Sequence, residues 1–136
     1  MRRSVRLWVA DMGETNTVVQ EVEDVLIGLL ETFSFPVFRQ GSVTGDTYPD
    51  NFFTFWGTEE NGNSYYDDKT VDVAYLYNVY FYSTNPANTY SYIRQARTLL
   101  KQNGWTIRDR GYDVDSGEQT HTGRGIDVAY LKHEID

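Results

Sequence analysis

Cysteine is absent from this chain of 136 residues, which excludes a disulfide framework, a thiolate metal site and a cysteine nucleophile. That absence fits a reducing compartment. Long apolar runs are missing too, since no segment approaches the roughly 20 apolar residues a membrane helix needs, and no membrane partner is expected. The start, MRRSVRLWVADMG, is basic like a signal peptide, but its apolar run is only Leu7 to Ala10, too short for a hydrophobic region of that kind. Histidine is limited to His121 and His133, without the spacing or companion ligands that zinc requires.

Catalytic and cofactor signatures are also lacking. Gly111, Gly117, Gly123 and Gly125 do not form G-x-G-x-x-G, no phosphate-cradling G-x-x-x-x-G-K-[ST] occurs, and no serine sits in a G-x-S-x-G elbow. Asp113, Asp115 and Gly117 begin a calcium-loop pattern that lacks its later ligands, so the stretch reads as a flexible acidic loop. Asp67 and Asp68 beside Lys69 read as a solvated turn rather than an acid-base pair. The expectation is a protein without cofactor or catalytic centre. An enzyme built from a spatial constellation stays open, because sites and not folds decide function.

Positive charge is in deficit. Twelve Lys and Arg face 20 Asp and Glu, a net charge of -8, and such a field repels phosphate polymers. Arg2, Arg3 and Arg6 crowd the first six positions, a basic arm on an acidic body, and residues 1–13 read as an extended N-terminal arm of one domain spanning 1–136. The alternative for this arm is a frayed, solvated terminus.

What the chain has in surplus is aromatic rings, 15% of its residues, gathered in YPDNFFTFW (48–56) and AYLYNVYFY (74–82). Around them the pattern predicts a helix over 17–33, with Val18, Val22, Val25, Leu26, Leu29 and Phe33 in one apolar stripe. Thr17 and Gln20 read as a capping box, and Pro36 ends the helix. Glu21, Glu23, Asp24 and Glu31 fall off the stripe and are expected to face water or a partner.

Strands follow over 36–40, 51–58 and 71–82, with EENGNSYYDDK as a loop whose Asn61-Gly62 is a hairpin-type turn signal. In 51–58, Phe52, Thr54 and Trp56 alternate with Phe53, Phe55 and Gly57. In 71–82, the face with Val73, Tyr75, Tyr77, Val79 and Phe81 belongs to the core, and the face with Asn78, Tyr80 and Tyr82 is mixed. Asn85-Pro86 starts a second helix that Asn103-Gly104 ends. Strands at 105–110 and 125–135 complete the order, separated by the polar loop DVDSGEQTHTG.

The order α-β-β-β-α-β-β predicts an α+β fold, a mixed or mostly antiparallel sheet of about five strands with two helices on one face. Phe52, Trp56, Val79 and Phe81 are expected in the core. Tyr48, Tyr65, Tyr66, Tyr80 and Tyr82 exceed what one core absorbs, and since tyrosine is enriched at interfaces they read as an assembly surface. The two aromatic strands hold no Lys or Arg, which argues against stacking on single-stranded nucleic acid.

The series TYPDNFFTFW, YYDDK, VYFYSTNP opening a helix, LLKQNGW and THTGRG resembles small structural proteins of tailed bacteriophages and Gram-positive prophages that join head to tail. The element order is similar to that of tail terminator proteins. This resemblance, over roughly 48–125, is one of turns and rings rather than of a catalytic signature. It implies a non-enzymatic virion protein, made in the host cytoplasm, that forms a ring, a hexamer, on the tail tube and meets the head connector.

Under that resemblance the partners are further copies of itself, the tail tube protein and connector proteins, with DNA passing through the lumen without specific binding. Contact residues would be Tyr48, Tyr65, Tyr66, Asp67 and Asp68 in loops, Tyr80 and Tyr82 on the sheet, and Arg108, Arg110 and Arg124 as counter-charges. The basic arm Arg2, Arg3 and Arg6 would reach an acidic neighbour. The alternatives are another neck or minor capsid joining protein, or a monomeric module that binds a ligand or peptide on its aromatic sheet face.

Overall fold

The computed structural model describes residues 14–39, 48–58, 63–67 and 70–135. Helix α1 (Glu14–Glu31) starts three residues before the expected capping box. Val22, Leu26 and Leu30, four apart, are its buried line, whereas Val25, expected in the stripe, is 46% exposed because it lies a quarter-turn off that line. Glu23, expected outside, is buried and pairs with Arg39. Burial raises its pKa, against the opposing pull of that guanidinium. After the helix the amides of Thr32, Phe33 and Ser34 bond back to the carbonyls of Leu29, Leu30 and Glu31, and Ser34 takes a left-handed φ of 67° before Pro36.

The strands are β1 (Val37–Arg39), β2 (Asn51–Gly57), β3 (Asn63–Asp67), β4 (Thr70–Ser83), β5 (Thr106–Ile107), β6 (Tyr112–Val114) and β7 (Thr122–Ile135). Helix α2 (Pro86–Gln102) lies between β4 and β5. They form an open, mostly antiparallel sheet in the order β1-β2-β4-β7-β5, with β3 also on β4 and β6 also on β7. Among the described residues only β1, parallel to β2, breaks the antiparallel pattern.

The element order is therefore α-β-β-β-β-α-β-β-β, which corrects the predicted order in two places. EENGNSYYDDK is not all loop: β3 forms a tight hairpin with β4, and Tyr65, Tyr66 and Asp67 are strand residues. The reason is length. β4 spans fourteen residues and pairs with β7 throughout, but β2 covers only Tyr77 to Ser83, so the other edge of its first residues would be unpaired without β3. Likewise β6 (Tyr112–Val114) takes Asp113 and Val114 out of the expected polar loop, and the expected strand at 105–110 shortens to Thr106–Ile107. β2 with β3, and β5 with β6, each share one position beside a long strand.

Both helices contribute to one core. Val22, Leu26 and Leu30 of α1 and Ile93, Ala96 and Leu100 of α2 close on Phe53, Phe55, Tyr77, Val79, Phe81, Ile126 and Val128. Asn85 caps α2 by accepting from the Ala87 amide (3.1 Å), and Gly104 ends it with φ 89°. The alternate residues of β2, β4 and β7 face away from both helices.

Candidate functional site

On that open face the rings lie along three neighbouring strands. Phe52 stands at the centre, against Tyr82 (5.2 Å between centroids), Tyr48 (5.9 Å, stacked), Phe38 (5.9 Å) and His121 (5.9 Å). These neighbours, rather than a helix, bury it. His121 Nε2 donates to the carbonyl of Pro49 (2.8 Å), which leaves Nδ1 to accept from Thr120 Oγ1 (2.8 Å) in the neutral tautomer. The imidazole thus ties the turn before β7 to the turn before β2.

Tyr80 and Tyr82 do not stand upright. In the register Tyr80 faces Gly125 and Tyr82 faces Gly123, and each ring lies over the glycine of the next strand. Tyr82 is half-buried, and burial, followed by the neighbouring Tyr80 and Asp115, raises its pKa. Tyr112, in register with the other side of Gly125, meets Tyr80 edge-on at 6.3 Å.

Beside the rings runs a polar row. Tyr112 donates its hydroxyl to Asp127 Oδ1, and Asn78 donates its amide to the same oxygen (2.6 Å) while accepting from Trp56 Nε1 (2.6 Å), the orientation that satisfies both ends of that amide. Burial and the bond to Asp127 push the Tyr112 phenol far above its usual range. Asp109 adjoins the row, and burial followed by the charge of Asp127 raises its pKa. The donors and acceptors of this row are spent on one another, which orients a mixed aromatic and polar surface. Trp56, expected in the core, is 44% exposed at its end. The even positions of β2 face away from the helices, and no described element covers this one.

At the sheet edge beside α2 lies a second feature, a groove of about 740 Å³ lined by Arg97, Lys101, Trp105, Ile107, Arg108 and Arg110 among others. Arg97 Nη1 donates to the carbonyl of Arg110 (3.2 Å), so one cation is held against the backbone that presents another. Arg108 and Arg110 are exposed. Arg124 is not available in the same way: it bonds Asp113 at 3.0 Å and its guanidinium lies 4.5 Å from the ring centroid of Tyr90.

No protein-family model and no curated protein matches the chain.

Of the residues expected to make contacts, Tyr48, Tyr80 and Tyr82 come together on the open face, and Arg108 and Arg110 meet in the groove. Tyr65, Tyr66 and Asp67 lie apart on β3. Arg2, Arg3, Arg6 and Asp68 fall outside the described residues. Sequence reasoning missed Phe52 as the ring centre, the row of Asn78, Asp127 and Tyr112, and the part played by Arg97 and Lys101. Only the last left a signal, since α2 carries Arg94, Arg97 and Lys101 and no acid. The others depend on cross-strand register.

Proposed function

We propose that this chain is a tail terminator, a structural protein of a tailed bacteriophage that forms a hexameric ring on the end of the tail tube and joins it to the head connector. The observation that carries the reading is the sheet face that no described element covers, where Trp56 and Tyr48 are exposed beside a ring cluster already ordered by its own contacts. A preordered aromatic surface suits burial between subunits, because little side-chain freedom is left to lose on association. The net charge of -8 suits a conduit through which DNA slides, since a like-charged wall resists phosphate. Tail tube and connector proteins are the other partners, and Arg108 and Arg110 remain as outward counter-charges.

One observation favours a second reading. The exposed Trp56 on the face that carries Tyr80 and Tyr82 also suits a monomeric ligand- or peptide-binding module that uses those rings. Light scattering on the purified protein, across concentration and salt and with or without tail tubes, separates the two. A discrete closed oligomer, alone or on tubes, is expected. A monomer indifferent to concentration, salt and tubes would move the assignment to the binding module.

A further inference from the structure

We propose that the basic groove beside α2 receives the outward face of α1 from a second copy of this chain. The inference rests on the self-assembly in the ring reading and names the contact which that reading leaves open.

Charge is segregated between the two helices. α1 carries Glu14, Glu21, Glu23, Asp24 and Glu31 and no Lys or Arg, whereas α2 carries Arg94, Arg97 and Lys101 and no Asp or Glu. Both helices lie on the same side of the sheet, so the helical layer has an acidic and a basic flank. Like flanks of two copies repel and unlike flanks attract. A contact between two different patches of the same molecule is heterologous, and it closes into a ring when its repeated rotation completes a full turn.

The shapes agree with the charges. Glu21, Val25, Gly28 and Glu31 are exposed along one side of α1, spaced at about one per turn. Val25 is a large apolar side chain left outside, and the space over Gly28 is open. The stripe thus reads acid, apolar, gap, acid. The groove is lined by Lys101 and Arg97, one turn apart on α2, by Arg108 and Arg110, by the apolar Trp105 and Ile107, and by a single acid, Asp109. The indole N–H of Trp105 is buried and has no acceptor among the described residues. Val25 meets Trp105 and Ile107, while Glu31 and Glu21, which gives up its exposed 3.8 Å pair with Lys132, meet the cations, so charge fixes the register and the apolar contact excludes water. A duplex is the rival occupant of any basic groove, but a body of net charge -8 opposes it.

The test uses two charge-reversed full-length variants, Lys101→Glu/Arg108→Glu and Glu21→Lys/Glu31→Lys, with circular dichroism to verify folding and sedimentation velocity to read assembly. All four positions are exposed, so both variants should fold. Each alone is expected to lose assembly by about tenfold or more in concentration, as truncated charge pairs do. An equimolar mixture is expected to restore it, because reversed groove meets reversed stripe and native groove meets native stripe in alternation. If wild type forms a ring and the folded variants form it equally well, or if their mixture fails to recover it, this contact is wrong and the ring reading stands. A wild type that stays monomeric with and without tail tubes overturns both. Binding of a short DNA duplex that the groove variant alone loses would give the groove to nucleic acid.

Discussion

Tyr80 lies flat across Gly125: a Cβ added to that glycine would stand 2.4 Å from Tyr80 Cδ1, nearer than any real contact allows. Tyr82 and Gly123 repeat the relation one register step on, at 2.6 Å to Cε1 with the Val114 carbonyl at 2.8 Å. Glycine in a strand interior ordinarily weakens it, and here the overlying ring supplies the missing packing. Gly125→Ala should cost about 1–3 kcal/mol in urea unfolding, the range of an overpacked site. Tyr80→Ala in the same chain should recover part of that loss. A Gly125→Ala protein as stable as wild type would refute the flat-ring geometry.

Phe53 and Trp56 are three residues apart on β2 and have opposite fates. Phe53 is fully buried against Phe81 at 4.7 Å, so Phe53→Ala should cost about 3–5 kcal/mol. Trp56 is exposed and holds one hydrogen bond, so Trp56→Ala should cost about 1 kcal/mol in stability. Under the ring reading its larger effect is on assembly. Equal losses of stability would contradict the assignment of faces.

Asp109 predicts a pH dependence. Its folded pKa is raised, first by burial and then by Asp127, so the folded state holds this proton more tightly than the unfolded chain. Its contribution is therefore full below the unfolded carboxylate range and is lost as pH rises through the raised folded value. Asp109→Asn keeps an acceptor for the Gly111 amide, now bonded to Asp109 Oδ1 at 3.0 Å. The variant should flatten this part of the profile and be more stable than wild type at neutral pH. Urea midpoints from acid to neutral pH decide it, and a variant less stable at neutral pH would reverse the sign.

Tyr112→Phe removes one donor from Asp127 and leaves Asn78 as the side chain still bonding it. A lost bond to a charged acceptor should cost about 1.5–3 kcal/mol. If the row serves only to order the surface, the variant at a concentration where it stays folded should keep the oligomeric state of wild type. Full stability combined with lost assembly would instead make the Tyr112 hydroxyl a direct contact.

Local features of this protein were legible from residue order because their physics is local. Asn85 and Pro86 start α2 with a side-chain cap and a preset φ, Gly104 ends it in the left-handed region, and alternation in β4 sorted Tyr77, Val79 and Phe81 onto the buried face. The open side of the sheet followed from the helix and strand order. The tertiary structure alone decided how its rings lie, because that depends on register between strands tens of residues apart: Gly125 is under Tyr80 only through the β4–β7 pairing, and Phe52 is buried by Tyr82 and Phe38 on neighbouring strands together with His121 and Tyr48 from separate turns. It also decided β3, whose Asn, Ser and Asp give a mixed propensity beside its two Tyr, and which forms because β4 extends past β2 and that edge needs a partner.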